Sequence, residues 1–307
     1  MRKLSLTIFL VLGGWCSFAT AQDIFPTLPE GVEAQSLFGE NLKSPNPSEA
    51  LLKNYHLAKT KYIANQGDAD SLIWFGRRAG YLGNYREAIK IFSGGIKMHP
   101  RDARMYRHRG HRYISIREFD RAIADLEMAA SLIEGADNEI EPDGAPNALG
   151  IPISTLHGNI WYHLGLAYYL KQDWDNSLRA YKNGFNTGTN DDNRVSTTHW
   201  IYMILQRMGR GDEATKALDV ISKDMNIIEN MSYHQLCLLY KGEIEIKDMM
   251  DANANNSANA AVAYGIANWY FYNGHVEKAN ELLRHILEGS SWSSFGFISA
   301  EADMVQR

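Results

Sequence analysis

The side chains with the clearest chemical potential surround a histidine pair, His108 and His111. A spacing of three residues places both imidazoles on one face of a helix, and imidazole nitrogen is a common zinc ligand. His157, His163 or His199 would complete a metal site if their helices converge on this face. The sequence has no short-spaced cysteine pair and no His-Glu-x-x-His motif, which would indicate zinc. Hydrogen-bonding roles are therefore favoured, and we assign no metal and no cofactor.

Common catalytic and nucleotide-binding motifs are absent from the sequence. We find no Gly-x-Ser-x-Gly elbow, no phosphate-cradling Gly-x-x-x-x-Gly-Lys loop and no dinucleotide-type Gly-x-Gly-x-x-Gly. Cys237 stands in the apolar stretch 236–239, which favours a core position over a nucleophile. Glu139 and Glu141 form a carboxylate pair, but the sequence shows no apolar pocket that would raise a carboxyl pKa for acid–base work. The sequence thus predicts no enzyme.

The N-terminus has the pattern of an export signal. Two basic residues, Arg2 and Lys3, precede a short apolar run that ends in small residues. We predict a signal peptide over residues 1–21 and an exported chain, in the periplasm, outside the cell or at its surface. Cys16 offers a lipoprotein alternative, which the bulky Trp15 before it disfavours. No later run approaches the roughly 20 apolar residues of a membrane-spanning helix, so no membrane insertion is expected after cleavage.

The charge balance argues against a nucleic-acid partner. The chain carries 31 Lys and Arg against 36 Asp and Glu, and loss of Arg2 and Lys3 would lower its net charge from −5 to −7. No basic stripe that would neutralise phosphates is visible. Only Cys237 remains after cleavage, so an internal disulfide is excluded. A hydrophobic content of 45% is enough to fill an elongated core.

A repeat with a period of 34 residues runs through the chain. Gly76 and Gly110 are 34 positions apart, as are Ala88 and Ala122, and a third unit has its matching positions at Trp161, Gly165, Tyr168, Trp174, Ser177 and Tyr181. Two weaker units follow, with their matching positions at Tyr202, Ala214, Leu218, Ala267, Ala279 and Leu283.

This pattern resembles the tetratricopeptide repeat (TPR), a pair of antiparallel helices in which small residues at two fixed positions let the helices approach closely. The resemblance implies an all-α fold, a right-handed α-α superhelix (TPR-like solenoid) of roughly five to six helix-turn-helix units with terminal capping helices. The predicted parts after the signal peptide are an extended or disordered segment at 22–46, an N-terminal capping helix at 47–68, the solenoid at 69–289 and a C-terminal cap at 290–307. With the export signal, the strings 107–111 and 160–165 also look like a group of exported TPR proteins of Gram-negative bacteria.

The second and third units are separated by an insertion. Gly110 and Gly165 are 55 positions apart, so about 21 residues are added, within about 134–157. Insertions in solenoids lie in loops, often on the binding face. Two X-Pro turns and an Asp-Gly pair predict a loop of defined turns.

In TPR proteins the first helix of each unit lines the concave wall, so the resemblance implies which residues face the groove. The predicted partner-binding residues are Arg77, Arg104, Arg107, His108, His111, Asn159, Tyr162, His163 and His199. Such a groove would attract anionic groups, because guanidinium groups hold carboxylates through paired hydrogen bonds. The Lys and Asn clamp with which peptide-binding members hold a terminal carboxylate is not reproduced.

Two functional interpretations stay open. The first is an exported scaffold that binds a protein or peptide partner, with anionic groups, in the concave groove. The arginines, Arg112 included, would instead pair with acids if Glu139, Glu141 and Asp143 of the insertion fold over them, as a cover or a lid. The second is an exported small-ligand or metal-dependent protein with its site under the 139–154 loop, against His108, His111, His157 and His163. An open groove favours the first, and a closed pocket where the histidines converge favours the second.

Overall fold

The computed structural model describes residues 26–250 and 258–306, and the predicted signal peptide lies outside them. The described chain is almost entirely helical. Its helices are α1 (Glu49–Ala64), α2 (Ala69–Tyr81), α3 (Tyr85–Met98), α4 (Ala103–Ser115), α5 (Phe119–Leu132), α6 (Leu156–Leu170), α7 (Trp174–Thr187), α8 (Asp191–Arg207), α9 (Gly211–Ala217), α10 (Met231–Tyr240), α11 (Ile246–Met250), α12 (Ala258–Tyr272), α13 (Val276–Leu287) and α14 (Phe295–Val305). Two-residue strands, β1 (Ala34–Gln35) and β2 (Asn41–Leu42), pair antiparallel. The predicted all-α solenoid is confirmed, and no helix within 26–250 or 258–306 is long and apolar enough to cross a membrane.

Small residues bring together the two helices of each of the first three hairpins. A side-chain carbon placed on the first-helix glycine would lie 2.5–2.7 Å from one partner side chain, closer than a real contact. The partner follows its glycine by 16 residues each time. The three pairs are Gly76 with Phe92, Gly110 with Leu126, and Gly165 with Tyr181. The repeat register read from the sequence therefore corresponds to real packing contacts.

The turn inside each hairpin needs a left-handed residue at the same repeat position. Gly83, Gly209 and Gly274 supply it in three units, with φ values of 81°, 69° and 79°. Arg117 and Gln172 adopt it in the other two, with φ values of 66° and 58°. Glycine takes this conformation without a steric penalty, whereas Arg and Gln do not.

The fourth unit is shortened. Tyr202 stands where the other units have a small residue, and its ring stacks on Tyr240 of α10 at a centroid distance of 4.3 Å. The second helix of this unit, α9, spans seven residues and is followed by a single 3-10 turn, Leu218–Val220. The bulky ring therefore packs towards the next helix along the chain.

The insertion, between α5 and α6, folds back on itself. Glu141 N donates to Ser154 O at 2.9 Å, and Leu156 N donates to Glu139 O at the same distance. These bonds tie the two ends of the loop together just before α6 begins. The residues between them form the excursion that lies on the concave wall.

Both ends of the described chain pack against the solenoid. Residues 26–46 run extended around the β1–β2 hairpin, with Val32 and Ala34 buried. Helix α14 packs on α12 and α13, as a C-terminal cap would, and it also contacts α6. Trp292, just before α14, donates from Nε1 to Lys43 O at 2.8 Å. The C-terminal segment therefore also reaches the concave side and meets the N-terminal segment.

Candidate binding surface

The insertion places one carboxylate, Glu141, on the concave wall. Glu141 is 8% exposed and forms an ion pair with Arg107, whose Nη2 lies 3.1 Å from Oε2, while His108 Nε2 lies 3.3 Å from Oε1. Asn159 donates a further short hydrogen bond to it. Because Arg107 and His108 belong to α4 and Asn159 belongs to α6, this carboxylate bridges two neighbouring units across the inserted segment.

The contacts of His108 define its tautomer. Arg107 Nη1 lies 2.6 Å from His108 Nδ1, and a guanidinium can only donate, so the proton of this imidazole resides on Nε2. Burial, followed by the charge of Arg107, lowers the pKa of His108 to about 3. Burial alone would raise the pKa of Glu141, but the Arg107 charge and the hydrogen bonds from His108 and Asn159 hold it well below its usual range. At neutral pH the cluster thus contains a carboxylate, a guanidinium and a neutral imidazole.

Helix α2 fastens the same loop through its backbone. Arg77 Nη1 donates to Pro142 O at 2.8 Å, and Arg78 Nη1 donates to Gly144 O at 3.0 Å. Both guanidinium groups also lie over the Trp74 ring, 4.4 and 5.1 Å from its centroid. Such cation–π contacts add to the hydrogen bonds. The insertion is therefore attached to three first helices, α2, α4 and α6.

Arg104 does not join this cluster. Its guanidinium lies 2.6 Å from a carboxylate oxygen of Asp102 and 2.6 Å from one of Asp70. The Arg104 side chain is 37% exposed. The predicted anchor is therefore an edge residue whose charge two acids already balance.

His111 and His163 meet beside the start of α14. Their ring centroids are 4.2 Å apart, and the Phe295 ring lies 5.4 and 5.7 Å from them. His163 Nδ1 donates to Asn159 O at 2.6 Å, because a carbonyl can only accept. Burial, followed by the charge of Arg107, lowers the pKa of His163 to about 3. Phe295 thus covers part of the concave wall at these two histidines.

Tyr162 lies next to this ring cluster on α6. Its hydroxyl is 2.9 Å from the hydroxyl of Tyr233 and accepts a hydrogen bond from Trp200 Nε1 at 3.1 Å. Burial raises the pKa of Tyr162 well above its ordinary value, so the hydroxyl stays protonated. Tyr162 can offer its ring edge to a ligand, while its hydroxyl is already bonded.

Two predicted positions need correction. His199 is 1% exposed and lies between the rings of Tyr233 and Tyr240, with centroid distances of 4.6 and 5.8 Å, so it is a core residue. It is covered because α10 packs over α8 at this point. His157 is also buried and bonds through its backbone to Asn138, away from the paired rings of the other histidines. Among residues 26–250 and 258–306, no three His, Cys, Asp or Glu side chains are placed to hold a metal ion.

Two cavities follow the insertion on the concave side and form what we call the insertion crevice. The first encloses about 210 Å³ between aromatic and amide side chains of α6, α8 and α10, with Phe295 of α14. The second encloses about 180 Å³ beside Arg77 and Arg107. They are adjacent, since both are lined by Ile153, Ser154, Asn159 and Glu229.

The cavities on the concave side differ in their charge. In the second cavity of the insertion crevice, Arg77 and Arg107 are opposed by the acids Glu141, Asp143 and Glu229. A third cavity, of about 110 Å³, lies between α2 and α4 and is lined by Arg77, Arg107 and Arg112 without any carboxylate. Arg112 was not among the predicted groove residues, because its side chain extends towards Gly80 of the preceding unit.

Comparison with known proteins bears on the fold alone. No family model and no curated protein matches the chain. Among solved structures, it is similar to YrrB, described as a TPR protein with an unusual peptide-binding site. That likeness has 16% identity, a TM-score of 0.42 and coverage of 76% of this chain and 92% of YrrB. It is also similar to MamA, with 17% identity, a TM-score of 0.43 and coverage of 62% and 90%. The chain's own helix pairs, with their close glycine contacts at a constant interval, make it an all-α helical repeat.

Proposed function

We propose that this chain is an exported interaction scaffold that binds an extended segment of a protein or peptide partner in the insertion crevice. The proposal rests on the two adjacent cavities, which share four lining residues and follow the first helices of neighbouring units. A TPR-type scaffold binds with this concave wall, and here the insertion gives the wall a second side. Export to the periplasm or the cell exterior rests on the signal-like N-terminus at 1–21.

The lining of the first cavity matches the chemistry of a peptide. Side-chain amides of Asn159, Asn190 and Asn193 can both donate to and accept from a peptide backbone. Tyr233 and Phe295 add flat apolar area at a small entropic cost. The two cavities hold a few side chains of a partner and not a whole domain surface, which favours an extended segment over a folded face.

The groove residues keep different roles in this proposal. Asn159, Tyr162 and His163 line the first cavity, and Arg77 and Arg107 line the second. Arg107 and His108 hold the insertion through Glu141, so they shape the crevice more than they anchor a ligand.

Peptide selection with a blocking variant tests this proposal. Ser154 is exposed, lines both cavities and makes only backbone hydrogen bonds within the described chain, so Ser154→Trp fills the crevice without removing a contact. Ala148 is exposed on the same loop but lines neither cavity, so Ala148→Trp is the matched control. Peptides would be selected from a displayed random library on residues 22–307, and their Kd measured by fluorescence anisotropy.

We expect Ser154→Trp to weaken the selected peptides at least about tenfold, equivalent to about 1.4 kcal/mol, and Ala148→Trp to leave their Kd unchanged. Peptides that bind the blocked variant as tightly as the wild type would refute the crevice as the site. Failure to select any peptide with a Kd below about 1 mM would refute the peptide-binding role.

A further inference from the structure

The 110 Å³ cavity between α2 and α4 has the construction of an anion site. Gly76 and Gly80 stand one turn apart on α2, and both line the cavity. A side-chain carbon at Gly80 would lie 3.1 Å from Arg112 Nη1, so the guanidinium extends across this glycine. The volume is enough for a few water molecules or one small oxyanion, because a water occupies about 30 Å³ in the liquid.

The three guanidinium groups of this cavity carry more charge than the protein compensates. Arg107 has one carboxylate partner, Glu141, and its Nε is buried with no hydrogen-bond partner. Arg77 donates to a backbone carbonyl and to the Tyr81 hydroxyl, neither of which is charged. Within the described chain, Arg112 makes no hydrogen bond and no ion pair, and its guanidinium lies over the Tyr85 ring at 5.4 Å. Within residues 26–250 and 258–306, one ion pair therefore serves the three cations that line this cavity, and the acids Asp143 and Glu229 lie on the crevice side.

The neighbouring groups do not reduce this excess. His108 accepts a hydrogen bond from Arg107 through Nδ1, and desolvation lowers the pKa of the half-buried His111 well below its ordinary value, so both line the cavity as neutral rings. Burial lowers the pKa of Arg112 to about 10, and the charges of Arg107 and Arg77 add to that effect against the opposing influence of Tyr85 and Tyr81. Arg107 is buried and Arg112 is half-buried, and charges of one sign that are withdrawn from water are costly unless a counter-charge is close.

We propose that this cavity binds a single oxyanion group, a phosphate or a carboxylate, between Arg107 and Arg112. Both guanidinium groups present free N–H donors, and guanidinium binds the oxygens of either group through paired hydrogen bonds. The site goes beyond the proposed peptide-binding function, because it lies in the wall between two helices and can be filled by a free anion. Arg77 lines both this cavity and the insertion crevice. An acidic group at the end of a peptide bound in the crevice would therefore pass Arg77 to reach the anion site.

Isothermal titration with simple anions tests the site without any knowledge of a partner. Sodium phosphate and sodium acetate would be titrated separately into residues 22–307 at low ionic strength, with sodium chloride as the reference. Phosphate and acetate distinguish the two sources of an oxyanion. We expect saturable 1:1 binding of at least one of them.

Two variants and one control locate the binding. Arg112→Gln removes the uncompensated charge and should weaken binding at least tenfold. Gly80→Ala keeps all three arginines and places a methyl group against Arg112, so it should weaken binding even if Arg112→Gln does not fold. Arg101→Gln is the control, because Arg101 is exposed and lines none of these cavities.

The outcomes separate this proposal from the preceding one. Binding lost in both cavity variants and kept in Arg101→Gln and Ser154→Trp would support the wall site independently of the crevice. Absence of saturable binding in the wild type, or equal weakening in Arg101→Gln, would overturn it. Selected peptides would still bind the crevice in that case.

Discussion

Arg117 Nε donates a 2.8 Å hydrogen bond to Glu301 Oε2, joining the turn between α4 and α5 to the C-terminal helix across 184 residues. Arg117 also donates to Trp292 O at 2.8 Å, and Trp292 in turn donates to Lys43 O. The left-handed conformation of Arg117 is costly for a residue that is not glycine, and these bonds offset part of that cost. They connect the second hairpin with both ends of the described chain.

Removal of the carboxylate of Glu301 should release the C-terminal helix. The side chains of Arg117 and Glu301 are 4% and 1% exposed, so Glu301→Ala leaves a buried cation without its partner. We expect a loss of about 3–5 kcal/mol in the free energy of unfolding, measured by urea denaturation. Hydrogen exchange should rise in α14 before the first hairpins.

Glu281→Ala provides the control, because Glu281 is exposed on α13. A similar loss of stability in both variants would contradict the role that we assign to the Arg117–Glu301 pair.

The sequence predicted the hairpins well because their contacts are local. Gly76 and Phe92 are 16 residues apart, and the same interval recurs with the repeat, so periodicity alone indicates the contact. The contact of Arg117 with Glu301 joins two non-equivalent positions at long range. No spacing rule in a single sequence indicates it.

The close approach at Gly76 gives a prediction about packing. A Cβ there would lie 2.5 Å from Phe92 Cζ, and Phe92 is 1% exposed and cannot move aside easily. Gly76→Ala should therefore destabilise the protein by about 1–3 kcal/mol, measured by urea denaturation.

Gly94→Ala is the matched control on α3, since a Cβ at Gly94 meets nothing within 4 Å. There we expect no loss, or a gain of up to about 1 kcal/mol from the better helix propensity of alanine. A destabilisation of equal size at both positions would show that helix geometry, and not the contact with Phe92, decides the effect.

The ion pair of Glu141 gives a prediction about the insertion. Glu141→Gln keeps the shape of the side chain and removes the charge that holds Arg107. If the weakened attachment costs about 1.4 kcal/mol, opening of the loop becomes about tenfold more frequent. Thermolysin cleavage near the exposed Leu149 and Ile151, followed by mass spectrometry, should accelerate by a similar factor.

Glu139→Gln serves as the control for this measurement, because Glu139 is exposed and makes no ion pair within the described chain. Equal cleavage rates in the wild type and Glu141→Gln would mean that the backbone bonds from Arg77 and Arg78 suffice to hold the loop.

The candidate site was predicted in part. The sequence indicated that Arg107, His108 and Asn159 face the concave wall, because the first-helix positions recur with the repeat. The sequence left open whether acids of the insertion pair with the arginines. In the structure Glu141 pairs with Arg107, whereas Glu139 and Asp143 form no ion pair within the described chain. A loop of 21 added residues has no periodicity, so its docking depends on contacts that composition does not reveal. The assignment of His199 to the groove was wrong because α10 covers it. This helix belongs to an irregular part of the repeat, so the period does not predict its position.

The buried histidines predict an unusual pH dependence of stability. Burial lowers the pKa values of His108, His163 and His199 to about 3 each, whereas an unfolded histidine titrates near 6.5. Between these values the unfolded state binds more protons than the folded state, so stability falls as the pH decreases below about 6.5. Each histidine contributes a slope of about 1.4 kcal/mol per pH unit in that window. Urea denaturation at pH 7, 6 and 5 should show this loss.

His199→Phe isolates one contribution. Phenylalanine retains a flat ring between Tyr233 and Tyr240 and cannot be protonated, so the slope between pH 6 and 5 should decrease by about 1.4 kcal/mol per pH unit. His285→Gln is the control, since the His285 side chain is 81% exposed. An unchanged slope in His199→Phe would mean that His199 is protonated in the folded protein, which requires water or an acid to reach a ring that the structure places in the core.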